Sequence, residues 1–291
     1  SLAAGDAAIS RQSAPFRYCL NTGTIRGQEL GIVKAIEIAA QAGYTGIEPW
    51  IRELDQYVEG GGALAELRQR IVDQGLTVEG AVAFAPWIAD DAARRAQGLE
   101  EMKRAMATVR ALGGSRLAAP PAGEDQQPVE LAVIGQRYRE LLELGRRMEV
   151  VPQLEVWGAS RSLSRVSQAA YVAIESGHAQ ACLLLDVFHL YKGGSDFEGL
   201  RLISGQALHV LHLNDYPAEP GPAALNDSHR LFPGDGIAPL TRIVQNLYAG
   251  GFRGALSLEL FNREYWRQDP LQVARTGLEK MIAVVQKSLA S

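Results

Sequence analysis

Short apolar runs alternate along the chain with longer segments in which apolar residues recur at helical spacing. Eight of these runs are rich in Val, Leu, Ile and aromatic residues and predict β-strands. They lie at 16–21, 45–50, 76–84, 115–120, 150–158, 181–189, 207–215 and 254–261. Several are apolar throughout, a pattern typical of parallel strands that are buried on both faces.

Helical periodicity occupies most of the intervals between these strands. Helices are predicted at 29–43, 90–114, 137–149, 163–177, 237–251 and 270–290, with a shorter one at 195–204. The first ends at Gly43, and the second begins on a pair of Asp residues and ends on a Gly pair. Eight strand–helix units predict an α/β fold, a single-domain (β/α)8 TIM barrel over residues 16–291.

A doubly wound open sheet is the alternative architecture. No Gly-x-Gly-x-x-Gly motif follows the first strand, and no shift in composition marks a second domain. Residues 1–15 are small, polar and without periodicity, so we expect a disordered tail or linker there. The default compartment is the cytoplasm, and export after removal of a signal is the alternative that such a tail leaves open.

The composition disfavours two classes of partner. The formal net charge is −4 and no block of Lys and Arg is present, so we expect no nucleic-acid partner. No apolar run reaches the roughly 20 residues of a membrane helix, so we expect no membrane partner. The two cysteines, Cys19 and Cys182, lie in apolar strand-like runs and are predicted to be buried free thiols.

Polar residues end five of the predicted strands. In a TIM barrel the chemistry lies at the C-terminal ends of the strands, and these ends carry Glu48, Glu155, Asp186 with His189, His212, and Glu259. Crowded carboxylates repel one another, and a dication removes that repulsion. Carboxylates with imidazole suit one divalent ion such as Mn²⁺, Zn²⁺, Co²⁺ or Mg²⁺. The sequence therefore predicts a metal site, with Glu48 as either a substrate contact or a helix cap.

The segment 213–236 after the seventh strand is long, rich in Pro and Gly, and without periodicity. Loops of this length in a compact barrel usually carry function. Arg230 within it could bind a hydroxyl, carboxylate or phosphate of a substrate, or form a surface salt bridge. The four tryptophans could line the pocket or belong to the core; they are Trp50, Trp87, Trp157 and Trp266.

These residues together resemble the xylose-isomerase-like barrel superfamily over about residues 16–287. The resemblance is carried by "LEVWG", "DVFH", "HLND", "PGDG" and "SLELF". It implies one divalent metal ion held by Glu155, Asp186, His212 and Glu259, with Glu155 and Glu259 also acting as the acid/base pair. It further implies that His189 and Arg230 contact the substrate, and we add Glu48 and Trp157 as predicted substrate contacts.

The resemblance implies a sugar or polyol isomerase or epimerase, of the sugar phosphate or ketose 3-epimerase type. Such an enzyme removes a proton next to a carbonyl and returns it through an enediolate. A dehydratase of the inosose or dehydroshikimate type is the alternative, because it would expel a β-hydroxyl from the same intermediate. Whether the substrate is phosphorylated stays open, and a homodimer or homotetramer is expected from the resemblance alone.

Two other functions fit the sequence less well. Asp227 and His229 resemble the extra zinc pair of AP endonucleases, but no His precedes residue 178 to complete a three-metal site. A sugar-binding barrel without catalysis is the other, and it would not need to keep both glutamates.

Overall fold

A computed structural model describes residues 15–290 as eight parallel strands alternating with helices. The strands are β1 (Arg17–Asn21), β2 (Gly46–Glu48), β3 (Thr77–Val78), β4 (Arg116–Ala119), β5 (Val151–Glu155), β6 (Leu183–Asp186), β7 (Leu208–His212) and β8 (Ala255–Leu258). Their order is β3-β2-β1-β8-β7-β6-β5-β4. The Ala118 N–H donates to Ala81 O at 2.8 Å, which joins β4 to the segment after β3. The predicted TIM barrel is confirmed, and the open doubly wound sheet is wrong. Nearly all of the expected N-terminal tail lies outside the described residues.

The helices cover the outside of the barrel. They are α1 (Gly31–Ala42), α2 (Ile51–Glu59), α3 (Leu64–Asp73), α4 (Ala92–Ala111), α5 (Leu131–Met148), α6 (Val166–Glu175), α7 (Val187–Lys192), α8 (Leu240–Ala249) and α9 (Pro270–Leu289). The six longer predicted helices are confirmed, and the segment 195–204 contains short 3₁₀ turns. Helices α2 and α3 were not predicted. Both are short, of 9 and 10 residues, and bury few residues fully: Leu54 in α2, and Leu67 with Ile71 in α3.

The observed strands are shorter than the predicted runs, and β6 shows why. It ends at Asp186, whose carboxylate accepts the backbone N–H of His189 at 3.1 Å and caps α7. His189 therefore lies on a helix, not on the strand where the apolar run placed it. The strand therefore ends at the residue whose side chain caps the following helix.

The barrel wall is buried on both faces. Its outer face packs against the helices in one continuous apolar core, and a second cluster joins five strands through Cys19, Ala118, Leu184, Val210 and Ala255. Both cysteines are buried and free, as predicted. Among residues 15–290, no helix combines the length and the apolar character that a membrane crossing requires.

Tyr138 on α5 provides a stability test of the helix–barrel packing. Its buried hydroxyl lies 2.8 Å from Pro152 O and 3.0 Å from Cys182 O, and it accepts the Cys182 N–H. Tyr138→Phe removes this partner from Pro152 O and from the Cys182 N–H, whereas Cys182 O keeps the Leu154 N–H. We expect it to lower the free energy of unfolding by about 1–3 kcal/mol. Urea denaturation followed by circular dichroism measures the loss. Tyr171→Phe, on a half-exposed ring, should change it by less than about 0.5 kcal/mol. Equal midpoints for Tyr138→Phe and the wild type would contradict this role.

Candidate metal centre and active site

Three buried side chains meet at the C-terminal rim of the barrel. Asp186 and His212 end the neighbouring strands β6 and β7, where they are paired in register, and Glu259 directly follows β8. One ligand atom from each lies within 4.8 Å of the others. These three therefore form the part of the predicted ligand set that the structure brings together. The fourth predicted ligand, Glu155, ends β5 and stands outside this group.

Glu48 fixes the orientation of the His212 ring. Its Oε1 lies 2.8 Å from His212 Nε2 and also accepts from Asn21 Nδ2 at 2.8 Å and Ser257 Oγ at 2.9 Å. Because a carboxylate only accepts, the ring proton lies on Nε2. This carboxylate–histidine pair is the arrangement that orients most metal-ligating histidines.

The other nitrogen of His212 faces the carboxylates. Nδ1 lies 3.0 Å from Glu259 Oε2 and 3.4 Å from Asp186 Oδ2. It is buried and makes no contact with hydrogen-bond geometry. A ring nitrogen that can give up its proton, beside two carboxylate oxygens, is a nitrogen–oxygen donor set of the kind that divalent transition metals prefer. The residues present therefore fit a divalent ion.

The position of Glu48 corrects the prediction made for it. Its side chain is fully buried, points to His212, and does not line the cavity, so it is not placed to contact a substrate. It does not cap α2 either, because Glu53 accepts the Trp50 N–H at 3.0 Å there. Glu48 is a positioning residue for His212.

Burial and neighbouring charges shift the pKa values of the site in opposite directions. Burial raises the pKa of Glu155 well above its usual value, and burial likewise raises that of Glu259. Burial acts the same way on Asp186, but Arg230, His189 and His212 together outweigh it and hold the pKa of Asp186 well below its usual range. Burial lowers the pKa of His212, but Glu259 and Glu48 raise it overall.

Arg230 is built into the site and does not form the surface salt bridge that was its alternative. Its side chain is 1% exposed. Nη1 donates to Asp186 Oδ2 at 2.6 Å and lies 3.3 Å from Glu259 Oε2, while Nε donates to Asp227 Oδ1 at 3.0 Å. The long loop after β7 therefore delivers a guanidinium to the carboxylates, and Asp227 holds it in place.

Asn214 is a site residue that the predicted set omits. Its Nδ2 donates to Asp186 Oδ1 at 3.1 Å, and its Oδ1 accepts the Phe188 N–H at 2.9 Å. It therefore orients Asp186 and the start of α7 together. The signal was present in the sequence, because Asn214 lies two residues after His212 at a strand end.

A cavity of about 450 Å³ reaches the three clustered residues at Glu259, the member of the group that lines it. Residues from the predicted set that line it are Glu155, Trp157, His189, Arg230 and Glu259. Aromatic rings form one wall: Phe84 stacks on Trp50 with ring centroids 5.2 Å apart and lies 5.3 Å from Trp157. Trp87, in contrast, is fully buried in the core and donates to Pro120 O.

Known proteins resemble this chain over nearly its full length. Residues 36–284 match the family described as xylose isomerase-like TIM barrel. An inosose isomerase from Halalkalibacterium halodurans is 26% identical over 278 residues, covering 93% of this chain and 97% of that protein. A 3-dehydroshikimate dehydratase from Pseudomonas aeruginosa is 26% identical over 265 residues, covering 87% of this chain and 40% of that protein.

Solved structures agree on the architecture. The crystal structure of the IolI protein with a bound zinc atom superposes with a TM-score of 0.88 at 23% identity, covering 95% of this chain and 100% of that one. An L-ribulose 3-epimerase superposes with a TM-score of 0.75 at 20% identity, covering 94% and 95%. At these identities the likeness concerns the fold.

Removing His212 tests the metal centre directly. We expect about one divalent ion per chain in the wild type purified without chelators, and loss of that ion in His212→Ala. Elemental mass spectrometry measures both. A wild type that stays free of metal after incubation with Mn²⁺ or Zn²⁺ would contradict a metal centre at this rim.

Glu48→Gln tests whether the buried carboxylate supports His212. The amide keeps the shape but loses the charge, so we expect metal affinity to fall about 10- to 100-fold while circular dichroism stays unchanged. Calorimetric titration measures the affinity. Glu79→Gln is the control, since Glu79 is also buried in the barrel but pairs with Arg17. An unaltered affinity in Glu48→Gln would remove its positioning role.

Proposed function

The chain belongs to the xylose isomerase-like TIM barrel family, and from the geometry of its site we propose that it is a divalent-metal-dependent isomerase or epimerase of a sugar or cyclic polyol. It is an enzyme of this family. One observation carries the proposal: Asp186, His212 and Glu259 meet in one group, and Glu259 and Glu155 both line the adjoining cavity.

Asp186, His212 and Glu259 would hold the ion, and Glu155 is the proposed fourth ligand. A divalent ion there would polarise a substrate carbonyl and stabilise the enediolate that forms when the neighbouring C–H loses its proton. The native ion, among Mn²⁺, Zn²⁺, Co²⁺ and Mg²⁺, stays a prediction of the donor set.

Glu155 and Glu259 are the proposed acid and base. Both line the cavity, and burial raises the pKa of each, which makes its carboxylate a stronger base than one in water. In the described part of the chain no group donates a hydrogen bond to the Glu155 carboxylate. Its oxygens are therefore free to take a proton or a ligand. One glutamate would remove the proton and the other would return it.

His189 and Arg230 would bind a substrate oxygen. His189 Nδ1 accepts the Gly158 N–H at 3.2 Å, and burial lowers the pKa of His189 to about 4, so the neutral ring carries its proton on Nε2. Nε2 lies 3.2 Å from Arg230 Nη2. Two N–H groups that face each other would both donate to one oxygen placed between them, and a hydroxyl or carbonyl oxygen of the substrate would provide it. Trp157 would pack against the C–H face of the ring.

A dehydratase on the same site is the second candidate, favoured by the match to the Pseudomonas aeruginosa enzyme across 87% of this chain. The two residues that resembled the extra zinc pair of a nuclease, Asp227 and His229, have other contacts and do not favour that function. His229 Nδ1 accepts the backbone N–H of Asn226 at 3.0 Å, and Asp227 is paired with Arg230. The homodimer or homotetramer expected from the resemblance stays a prediction.

Proton exchange separates the candidates. Metal-loaded enzyme is incubated with an inosose in D₂O and followed by proton NMR. An isomerase or epimerase replaces the C–H next to the carbonyl with deuterium and forms an isomeric product. A dehydratase instead forms a C=C bond conjugated to the carbonyl, which is seen as new ultraviolet absorbance. If no α-hydroxy ketone exchanged its C–H proton for deuterium, the proposal would be overturned.

Glu155→Gln and Glu259→Gln test the two-base chemistry. Each amide cannot take a proton, so we expect the exchange rate to fall about 10²- to 10⁴-fold. Metal content should fall more in Glu259→Gln, because Glu259 belongs to the three-residue group. Glu264→Gln, on an exposed carboxylate near the rim, is the control. A near wild-type rate in either variant would rule out a two-glutamate mechanism.

A further inference from the structure

Arg26 presents an unused guanidinium to the cavity. It lies in the 3₁₀ segment Thr22–Gln28 that follows β1, and β1 is the neighbour of β8. Its Cζ lies 4.0 Å from the centre of the Trp50 ring and 5.3 Å from that of Phe261. These rings also line the cavity, so they hold the guanidinium plane against its wall.

The guanidinium of Arg26 has no acceptor in the described chain. None of its nitrogens donates a hydrogen bond there, and Nε and Nη2 are closed off from solvent. Burial lowers the pKa of Arg26, as expected for a cation that has lost water. The acid beside it, Glu53, already accepts from the Trp50 N–H and from Thr22 Oγ1. Buried polar groups of folded proteins nearly always have a partner, so this fork calls for a ligand.

The other arginine of the cavity shows the contrast. Arg230 is committed to Asp186, Asp227 and Glu259, and it is needed to offset their charge. Arg26 makes no ion pair with any residue among 15–290. It is therefore the cation in this cavity that is free to meet a negative charge brought by the substrate.

We propose that Arg26 binds a carboxylate of the substrate through the part of its guanidinium that is open to the cavity. This deepens the proposed function and rests on it: the substrate would be an acid that also carries a carbonyl and hydroxyls, not a neutral sugar. A carboxylate matches the planar fork of one guanidinium. A phosphate usually takes several cations or a helix N-terminus, and no lysine is among the described residues that line the cavity.

The experiment compares 3-dehydroshikimate with its methyl ester, which has the same ring and carbonyl but no charge. Metal-loaded wild type, Arg26→Met, Arg26→Lys and Arg52→Met are titrated with each by calorimetry and by tryptophan fluorescence. We expect the wild type to prefer the acid about 100-fold, Arg26→Met to lose that preference, and Arg26→Lys to keep part of it because the charge remains without the fork.

Arg52→Met is the matched control. The Arg52 guanidinium lies 5.3 Å from the centre of the same Trp50 ring but is exposed and does not line the cavity. Its removal should leave the preference for the acid intact. Equal loss in Arg52→Met and Arg26→Met would show a general effect of positive charge and would overturn the assignment.

The outcomes keep the two proposals apart. Exchange of the inosose proton, with no preference for the acid in the wild type, would overturn the carboxylate site and leave the proposed function in place. An acid preference that depends on Arg26, without proton exchange in any ligand, would support the carboxylate site and overturn the proposed function. Inorganic phosphate that competes more strongly than the acid would overturn the choice of carboxylate.

Discussion

The crowding of buried carboxylates around His212 is the constraint on which the rest of the site depends. Glu48, Asp186 and Glu259 all lie within hydrogen-bond or ion-pair distance of its ring, in a region shielded from water. Like charges at such distances repel strongly when water does not screen them. The chain offsets that repulsion with an imidazole that contacts acids on both edges and with Arg230, and a divalent ion would add the remaining positive charge.

The residues that solve this electrostatic problem also build the fold. Asp186 ends β6, caps α7 and faces His212, while Asn214 holds Asp186 and the first turn of α7 in one network. A substitution at such a residue would therefore disturb both the helix that it caps and the site that it belongs to. For this reason the site sits on strand ends whose positions the closed sheet fixes, and the loop after β7 only adds Arg230 to it.

The sequence was sufficient to predict the features that depend on the spacing of apolar residues and on the polar residues at strand ends. Eight strands, the barrel and the meeting of Asp186, His212 and Glu259 follow from apolar runs that end in polar residues. Roles set by side-chain direction could not be obtained in this way. Glu48 was predicted to contact the substrate, because no sequence pattern shows that its carboxylate points to His212. Helices α2 and α3 were missed, because each packs against the barrel with only one or two fully buried residues.

Arg26 was missed for a related reason, since a lone arginine in a short turn has no pattern at all. The role proposed for Arg26 becomes visible only when its contacts are compared with those of Arg230. Both guanidinium groups contact Phe261, yet Arg230 pairs with acids and Arg26 does not. The acids of the site therefore determine where one cation must be, while the other packs on aromatic rings and pairs with none of these acids. The relatives of this chain include an inosose isomerase and a 3-dehydroshikimate dehydratase, and a cation without an acid partner at the wall is the feature by which this cavity would distinguish an acidic substrate from a neutral one.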